Sequence, residues 1–186
     1  GVSLGWSASE AGGWRFFASP SPGQPNSGAS FAELLRAMPA VSVPGGFYDD
    51  SLTLTVAADP GTEVRYSLDG SEPTEASPIF PEGLALSSRA GQPNVLSMIQ
   101  GTSTANQHTD GWKPPVGEVR KATVVRLRAF KPDARPSPVA SHTYFIGAAA
   151  RHVDGLPVVS LATEQAGVFD YTRGVYMLGK VFADYV

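Results

Sequence analysis

The stretch Val64–Thr74, V-R-Y-S-L-D-G-S-E-P-T, joins a strand pattern to a turn and decides the fold. Apolar and polar residues alternate through V-R-Y-S-L, which is typical of a strand with one buried face. Asp69 and Gly70 supply turn chemistry, because glycine accepts a positive φ and aspartate can bond the backbone that follows it. Pro73 has no N–H, so strand pairing should end there.

Further stretches along the chain show the same strand pattern between turns. The predicted strands are Leu52–Val56, Leu84–Leu86, Thr123–Phe130 and Pro138–Ile146, with one or two more within Gly5–Phe17. Asp59-Pro60-Gly61 and Lys131-Pro132-Asp133 are turns by composition. Sixteen prolines and twenty glycines also favour a turn-rich chain. Several short strands separated by such turns predict an all-β sandwich.

Composition limits the possible functions. The chain has 186 residues, enough for one large or two small domains, and 42% hydrophobic residues are sufficient for a core. A net charge of −3 without a basic block does not favour nucleic-acid binding. Cysteine is absent, which excludes disulfides and thiolate sites. No apolar run reaches about 20 residues, so we expect no transmembrane segment.

No motif in the sequence indicates catalysis or a cofactor. The carboxylates that come closest to a cluster lack the alternating spacing of a calcium loop; they are Asp49, Asp50, Asp69, Glu72 and Glu75. The three histidines, His108, His142 and His152, lack the spacing of a metal site. Neither a G-x-S-x-G elbow nor a glycine-rich phosphate loop is present. We therefore expect no catalytic residue, no metal and no cofactor in this chain.

The passage D-G-S-E-P-T after V-R-Y-S-L resembles the chitobiase/β-hexosaminidase C-terminal domain family. The resemblance implies a small appendage to larger secreted enzymes, with a structural turn motif at Asp69, Gly70, Ser71, Glu72 and Pro73. The predicted fold is all-β: an immunoglobulin- or fibronectin-III-like antiparallel sandwich at residues 44–147. An insertion at residues 88–121 departs from the short form of that family. Within it we expect a strand at Asn94–Gln100 and a mobile stretch at Gly101–Gly111.

The two flanks are predicted to be short helices and partial neighbouring domains. At residues 1–26, a Gly-Trp pair and S-P-G-Q-P-N resemble the exit of bacterial lamin-tail-like domains. Residues 27–43 are predicted to be a short helix and linker, because Ser30 and Glu33 form a capping box before an apolar stripe.

At residues 148–186, L-P-V-V-S-L-A-T, V-F-D and G-V-Y resemble the entrance to spore-coat-protein-H-type kinase domains. We expect strands at Leu156–Leu161 and Gly174–Gly179 there, with a helix at Thr163–Phe169. Because the chain opens and stops inside such patterns, we expect it to be a piece of a longer protein. The phosphoryl-transfer residues of such a kinase would then lie outside it.

Three functions stay open. The favoured one is a non-catalytic spacer or docking module of a secreted or cell-envelope protein, with neighbouring domains of the same polypeptide as partners. A second is a carbohydrate-binding module, in which Trp112, Tyr48 and Phe47 would contact glycans, because aromatic faces stack on sugar rings. Packing of Trp112 against the sandwich is the alternative interpretation. A third is a contribution to the active site of a glycoside hydrolase.

Overall fold

The computed structural model describes residues 2–7, 12–100, 111–147 and 157–185, which form mainly short strands. The strands in chain order are β1 (Ser3–Ser7), β2 (Gly13–Phe17), β3 (Ser30–Phe31), β4 (Glu33–Leu34), β5 (Ala40–Val41), β6 (Gly46–Tyr48), β7 (Leu52–Leu54), β8 (Val56–Ala57), β9 (Glu63–Ser67), β10 (Leu84–Leu86), β11 (Thr123–Phe130), β12 (Ala134–Arg135) and β13 (Ala140–Ile146). The helices are α1 (Gln165–Phe169) and α2 (Lys180–Tyr185), and a 3₁₀ turn lies at Leu96–Met98.

A four-stranded sheet in the order β6-β13-β11-β9 forms one layer of the sandwich. The central strand β11 pairs antiparallel with both β9 and β13. Its alternation directs Val125, Leu127 and Ala129 inward, where all three are buried. The opposite positions, Arg126 and Arg128, lie on the outward face.

The facing layer is made of two short antiparallel pairs, β10 with β7 and β5 with β8. Leu54 of β7 and Leu86 of β10 share one buried cluster with Leu127 and Tyr144 of the four-stranded sheet. Because side chains from both layers fill a common core, the predicted all-β sandwich is confirmed.

Two of the described strand pairs are parallel, in addition to the antiparallel pairs that a sandwich of this type predicts. They are β13 with β6 and β12 with β4. Each pair joins a strand near residue 140 to one about 100 residues earlier in the chain. Parallel pairing needs such a long connection, whereas hairpin turns join antiparallel neighbours.

The stretch 30–38 is not the helix that its capping box predicts. It contains strands β3 and β4 instead, and β4 pairs with β12. The N–H groups of Ala32 and Leu35 donate to the carbonyls of Asp133 and Arg135, at 2.9 and 3.1 Å. Leu35 is also buried in the sandwich core. Pairing and burial therefore override the local helix signal, and the sandwich packing extends before Pro44.

Three further strand predictions are also wrong, and one helix prediction is confirmed. Asn94–Gln100 contains only the 3₁₀ turn, and the stretch Gly101–Gly111, predicted to be mobile, lies mostly outside the described residues. The described residues of the two C-terminal strand predictions, 157–161 and 174–179, form no strand. Their valines and leucines are mostly exposed, so no described strand covers them. The helix expected at Thr163–Phe169 is confirmed as α1.

A separate three-stranded sheet, in the order β1-β2-β3, precedes the sandwich. Its β1–β2 hairpin agrees with the strands expected within Gly5–Phe17. Phe17 is buried, whereas Trp6 and Trp14 lie opposite each other on the exposed face. Within the parts of the chain that the structure describes, no helix has the length and apolar character needed to cross a membrane.

Candidate docking site

The turn after β9 is held by short hydrogen bonds within the D-G-S-E-P-T motif. The Asp69 carboxylate accepts from the hydroxyl of Ser71 at 2.6 Å and from its backbone N–H at 2.9 Å. These bonds lower the pKa of Asp69, and the bond from the Ser71 hydroxyl contributes most. The Ser67 hydroxyl donates to the Ser71 carbonyl at 2.6 Å, and Gly70 has φ +84°. The carboxylate therefore caps a tight, left-handed turn.

Arginines from the outward face of β11 fasten this turn to the sheet. Arg126 Nη1 donates to the Gly70 carbonyl at 2.7 Å. Arg128 forms an ion pair with Glu72 and also donates from Nε to the Ser137 carbonyl at 2.9 Å. The sequence marks both arginines as polar strand positions but does not show which loop crosses above them.

The end of the turn returns to pair with β9. Pro73 is fully buried, and the Arg65 guanidinium donates to the Ser77 carbonyl at 2.6 Å. The N–H of Phe80 then donates to the Val64 carbonyl at 2.8 Å. Both ends of the turn are thus bonded to the strand beneath it, which makes the turn a fixed part of the sheet surface.

The C-terminal segment approaches the sandwich closely at Gly70. A Cβ atom placed on Gly70 would lie 2.6 Å from the Thr163 carbonyl oxygen, which is closer than real Cβ contacts. Nearby, the hydroxyls of Thr143 and Ser160 are 2.7 Å apart. Gly70 therefore meets two requirements, the positive φ of the turn and the space for the C-terminal backbone. We call the surface formed by Gly70, Thr143 and the turn the docking site.

The N-terminal sheet is attached at the turn between β11 and β12. The guanidinium of Arg15, on β2, makes two bonds to the Asp133 carboxylate, and its Nε donates to the Ser30 hydroxyl at 2.9 Å. The hydrogen bond from Arg15 is the main cause that lowers the pKa of Asp133. Lys131 forms a second ion pair, 2.6 Å from Glu33.

The predicted sugar contacts are only partly exposed. Phe47 stacks on Phe145 with ring centroids 4.8 Å apart, and it is 42% exposed. Tyr48 packs against the core and donates its hydroxyl to the Pro44 carbonyl at 2.6 Å. Neighbouring residues on a strand point to opposite faces, so these two rings do not share a platform. Trp112 is half-buried.

The hairpin tryptophans Trp6 and Trp14 are more exposed than Trp112, at 57% and 68%. Their rings meet edge to face, with centroids 6.2 Å apart. The sequence predicts strands that contain both residues but does not show that they lie on the exposed face.

No metal or catalytic cluster accompanies these features in residues 2–7, 12–100, 111–147 and 157–185. No group of three or more metal-binding side chains occurs in those ranges. His142 lies on β13, where burial lowers its pKa, and its Nδ1 accepts from the Gly45 N–H at 3.4 Å. His108 and His152 lie outside the described residues.

Comparison with protein families gives one match. The family model described as Fn3 associated matches residues 52–144, which is half of the chain and runs from β7 into β13. Neither the curated proteins nor the solved structures that were compared include a match. The Fn3-associated domain is a non-catalytic type of module, in agreement with the all-β sandwich. The chain belongs to the Fn3-associated family, as an accessory β-sandwich module.

Proposed function

We propose that this accessory module acts as a rigid connector, which docks the neighbouring parts of its own polypeptide in a fixed orientation. The observation that carries the proposal is the close approach of the Thr163 carbonyl to Gly70 on the docking site. Arg126 and Arg128 hold the D-G-S-E-P-T turn through bonds that do not involve the C-terminal segment. A preorganised surface loses little conformational freedom on docking.

Attachment of the N-terminal flank supports the same role. Strand β4 pairs with β12, and the Leu35 side chain enters the sandwich core. Arg15 adds a bidentate ion pair with Asp133, a geometry that fixes the orientation of the two side chains as well as their distance. A flexible tether would need none of these contacts.

The test uses spin labels, because a chain without cysteine accepts them at chosen positions only. Cysteines replace Ala57, on the sandwich, and Glu164, beside the docked segment; both side chains are exposed. A connector gives a narrow distribution of label-to-label distances, and Gly70→Val broadens it. A distribution that is already broad in the unsubstituted chain contradicts the proposal. Gly61→Val, at another positive-φ turn with open space, is the matched control.

The parent protein is part of the proposal. Resemblance to the chitobiase C-terminal domain family supports an exported or cell-envelope protein of bacterial type. The flanks support a preceding lamin-tail-like domain and a following spore-coat-protein-H-type kinase domain, which would carry the catalytic residues. The parent sequence beyond residue 186 tests this arrangement: a kinase-like lobe supports it, and a glycosidase barrel contradicts it.

Carbohydrate binding is the second candidate, and exposed aromatic rings favour it. Trp6, Trp14 and Phe47 present apolar surface to solvent, and such rings stack on pyranose faces. Titration with a panel of chitooligosaccharides and plant glycans tests it by tryptophan fluorescence. The connector proposal predicts no saturable change. A saturable change that is lost in Trp112→Ala or Trp14→Ala supports the sugar site and locates it.

A further inference from the structure

One end of the sandwich carries a patch that the connector role does not use. It consists of residues 89–98 and 113–122, which we call the basic-apolar patch. Its two halves are bonded together: the Asn94 side-chain amide donates to the Gly117 carbonyl at 2.9 Å. The N–H of Gly91 donates to the Glu118 carboxylate at 2.7 Å. The patch is therefore one surface, although its halves are separated along the chain.

Aliphatic side chains project from this surface into solvent. The exposed fractions are 65% for Val95, 54% for Leu96, 43% for Met98 and 104% for Val116. Val95 and Leu96 also line a cleft of about 270 Å³. Single exposed apolar residues are common, but a contiguous group marks a surface for a partner or a membrane.

The charge of the patch is opposite to that of the chain. Its described residues include four cations and one carboxylate, namely Arg89, Lys113, Arg120, Lys121 and Glu118. The whole chain has a net charge of −3. Arg89 and Arg120 line the same cleft as the exposed aliphatic residues. The Lys121 side chain is only 9% exposed and pairs with Glu118, so the excess positive charge comes from the other three cations. Two arginines thus border the exposed apolar residues, a combination that is complementary to an anionic, apolar phase.

The fold places this patch away from the N-terminal attachment. Strand β11 begins at Thr123, next to the patch, and ends at Phe130, next to the turn that carries Asp133. Eight residues of extended strand span about 25 Å. The patch can therefore meet a flat surface while the N-terminal sheet stays attached.

We propose that the basic-apolar patch binds the surface of an anionic lipid bilayer. Val95, Leu96 and Val116 enter the boundary between head groups and acyl chains, and the surrounding cations remain among the lipid phosphates. Long basic side chains suit this position, because their stems cover apolar surface while their charges stay in water. The shallow insertion requires no membrane-spanning helix.

Sedimentation with vesicles tests the proposal. The protein is mixed with vesicles of phosphatidylcholine alone, or with about one third phosphatidylglycerol, at about 0.1 M and about 1 M NaCl. We expect binding to the anionic vesicles at low salt only, because the Debye length falls from about 10 to about 3 Å. Absence of binding to anionic vesicles at low salt overturns the proposal, as does equal binding to both compositions.

Variants separate the patch from the rest of the protein. Arg120→Gln should weaken partitioning about five-fold, as expected for one basic residue near an anionic membrane. Leu96→Asp should weaken it more strongly. Arg36→Gln and Met38→Asp are matched controls, because both residues are exposed and lie outside the patch. Circular dichroism checks that each variant is folded.

Equal loss of binding in the control variants overturns the proposal, because the attraction would then be non-specific. A patch that instead holds a second copy of the chain also overturns it. In that case sedimentation velocity without vesicles shows an oligomer that Leu96→Asp dissociates.

Discussion

The two flanks of the sandwich are attached in different ways. The N-terminal flank adds backbone to the sandwich through the β4–β12 pair and inserts Leu35 into its core. The C-terminal flank meets the sandwich through Thr163 at Gly70 and through Ser160 at Thr143. The first attachment depends on burial and strand pairing. The second depends on the space left by the missing side chain at Gly70 and on one bond between two hydroxyls. Removal of a flank should therefore affect stability on the N-terminal side and orientation on the C-terminal side.

The flanks also differ in the apolar residues that they bury, although the hairpin tryptophans of the N-terminal flank are exposed. Phe17 and Leu35 of the N-terminal part are buried, whereas Leu161 and Val175 of the C-terminal part are each 87% exposed. Buried apolar area is the main stabilising contribution in folding. The N-terminal flank therefore shares the stability of the sandwich, and the C-terminal flank adds little to it.

The largest expected effect is that of Leu35→Ala. Leu35 is 6% exposed in the shared core, so its truncation leaves a cavity and should lower the free energy of unfolding by about 2–5 kcal/mol. Urea denaturation measures the change. Met38→Ala, three residues away and exposed, should stay within about 0.5 kcal/mol of the unsubstituted protein. Equal effects would show that residues 33–38 are not part of the sandwich.

Gly70→Val should have the next largest effect, about 1–3 kcal/mol, because a β-branched residue is strained at φ +84°. Gly117→Val provides the control, since Gly117 has φ +83° but no atom within 4 Å of the position that an added Cβ would take. Thermal unfolding of both variants separates backbone strain from the clash with Thr163. Equal losses of about 1–3 kcal/mol would show that backbone strain accounts for the whole effect on stability, and no loss at Gly70 would contradict the strained turn.

Tyr144→Phe should cost about 1 kcal/mol. The Tyr144 hydroxyl donates to the Val43 carbonyl at 2.8 Å, and the residue is fully buried. Burial raises the pKa of Tyr144 to about 12, so the hydroxyl keeps its proton at neutral pH. Urea denaturation measures the loss of stability. Tyr176→Phe is the control, because Tyr176 is exposed. The difference between the two variants gives the contribution of the bond from Tyr144 to residue 43. A loss no larger than in the control would contradict that bond.

The smallest expected effect is the contribution of His142 to the pH dependence of stability. Burial lowers its pKa in the folded protein, so the unfolded chain binds a proton first as the pH falls below about 6.5. Stability should therefore decrease between about pH 7 and pH 5. Replacement by Gln should reduce that slope, and urea denaturation across this pH range measures it. An unchanged slope would show that His142 does not contribute.

The sandwich was predictable because its signal is local and repeated. The alternating residues of Thr123–Phe130 specify a strand and its buried face without knowledge of its neighbours. The sequence of Ser30–Met38 carries a helix cap and stripe, but the carbonyls of Asp133 and Arg135 lie where strand pairing is possible. Strand pairing therefore competes with helix formation in this stretch. The pairing partners lie about 100 positions away, so a local sequence pattern does not reveal them.

The docking site was predictable only in part, for the same reason. Asp69 and Gly70 indicate a turn by their own chemistry. The donors that hold it, Arg126 and Arg128, come from a strand more than 50 residues later. Contact of the turn with Thr163 likewise depends on how the C-terminal segment crosses the sheet.

Residual dipolar couplings of backbone amides test the central claim most directly, since they report the orientation of each part of the chain. Three groups are compared: the β1–β2 hairpin, the four-stranded sheet and helix α1. A rigid connector predicts that one alignment tensor fits all three groups, and that Gly70→Val separates only α1 from the rest. Separate tensors in the unsubstituted protein, with smaller couplings in either flank, would contradict the claim.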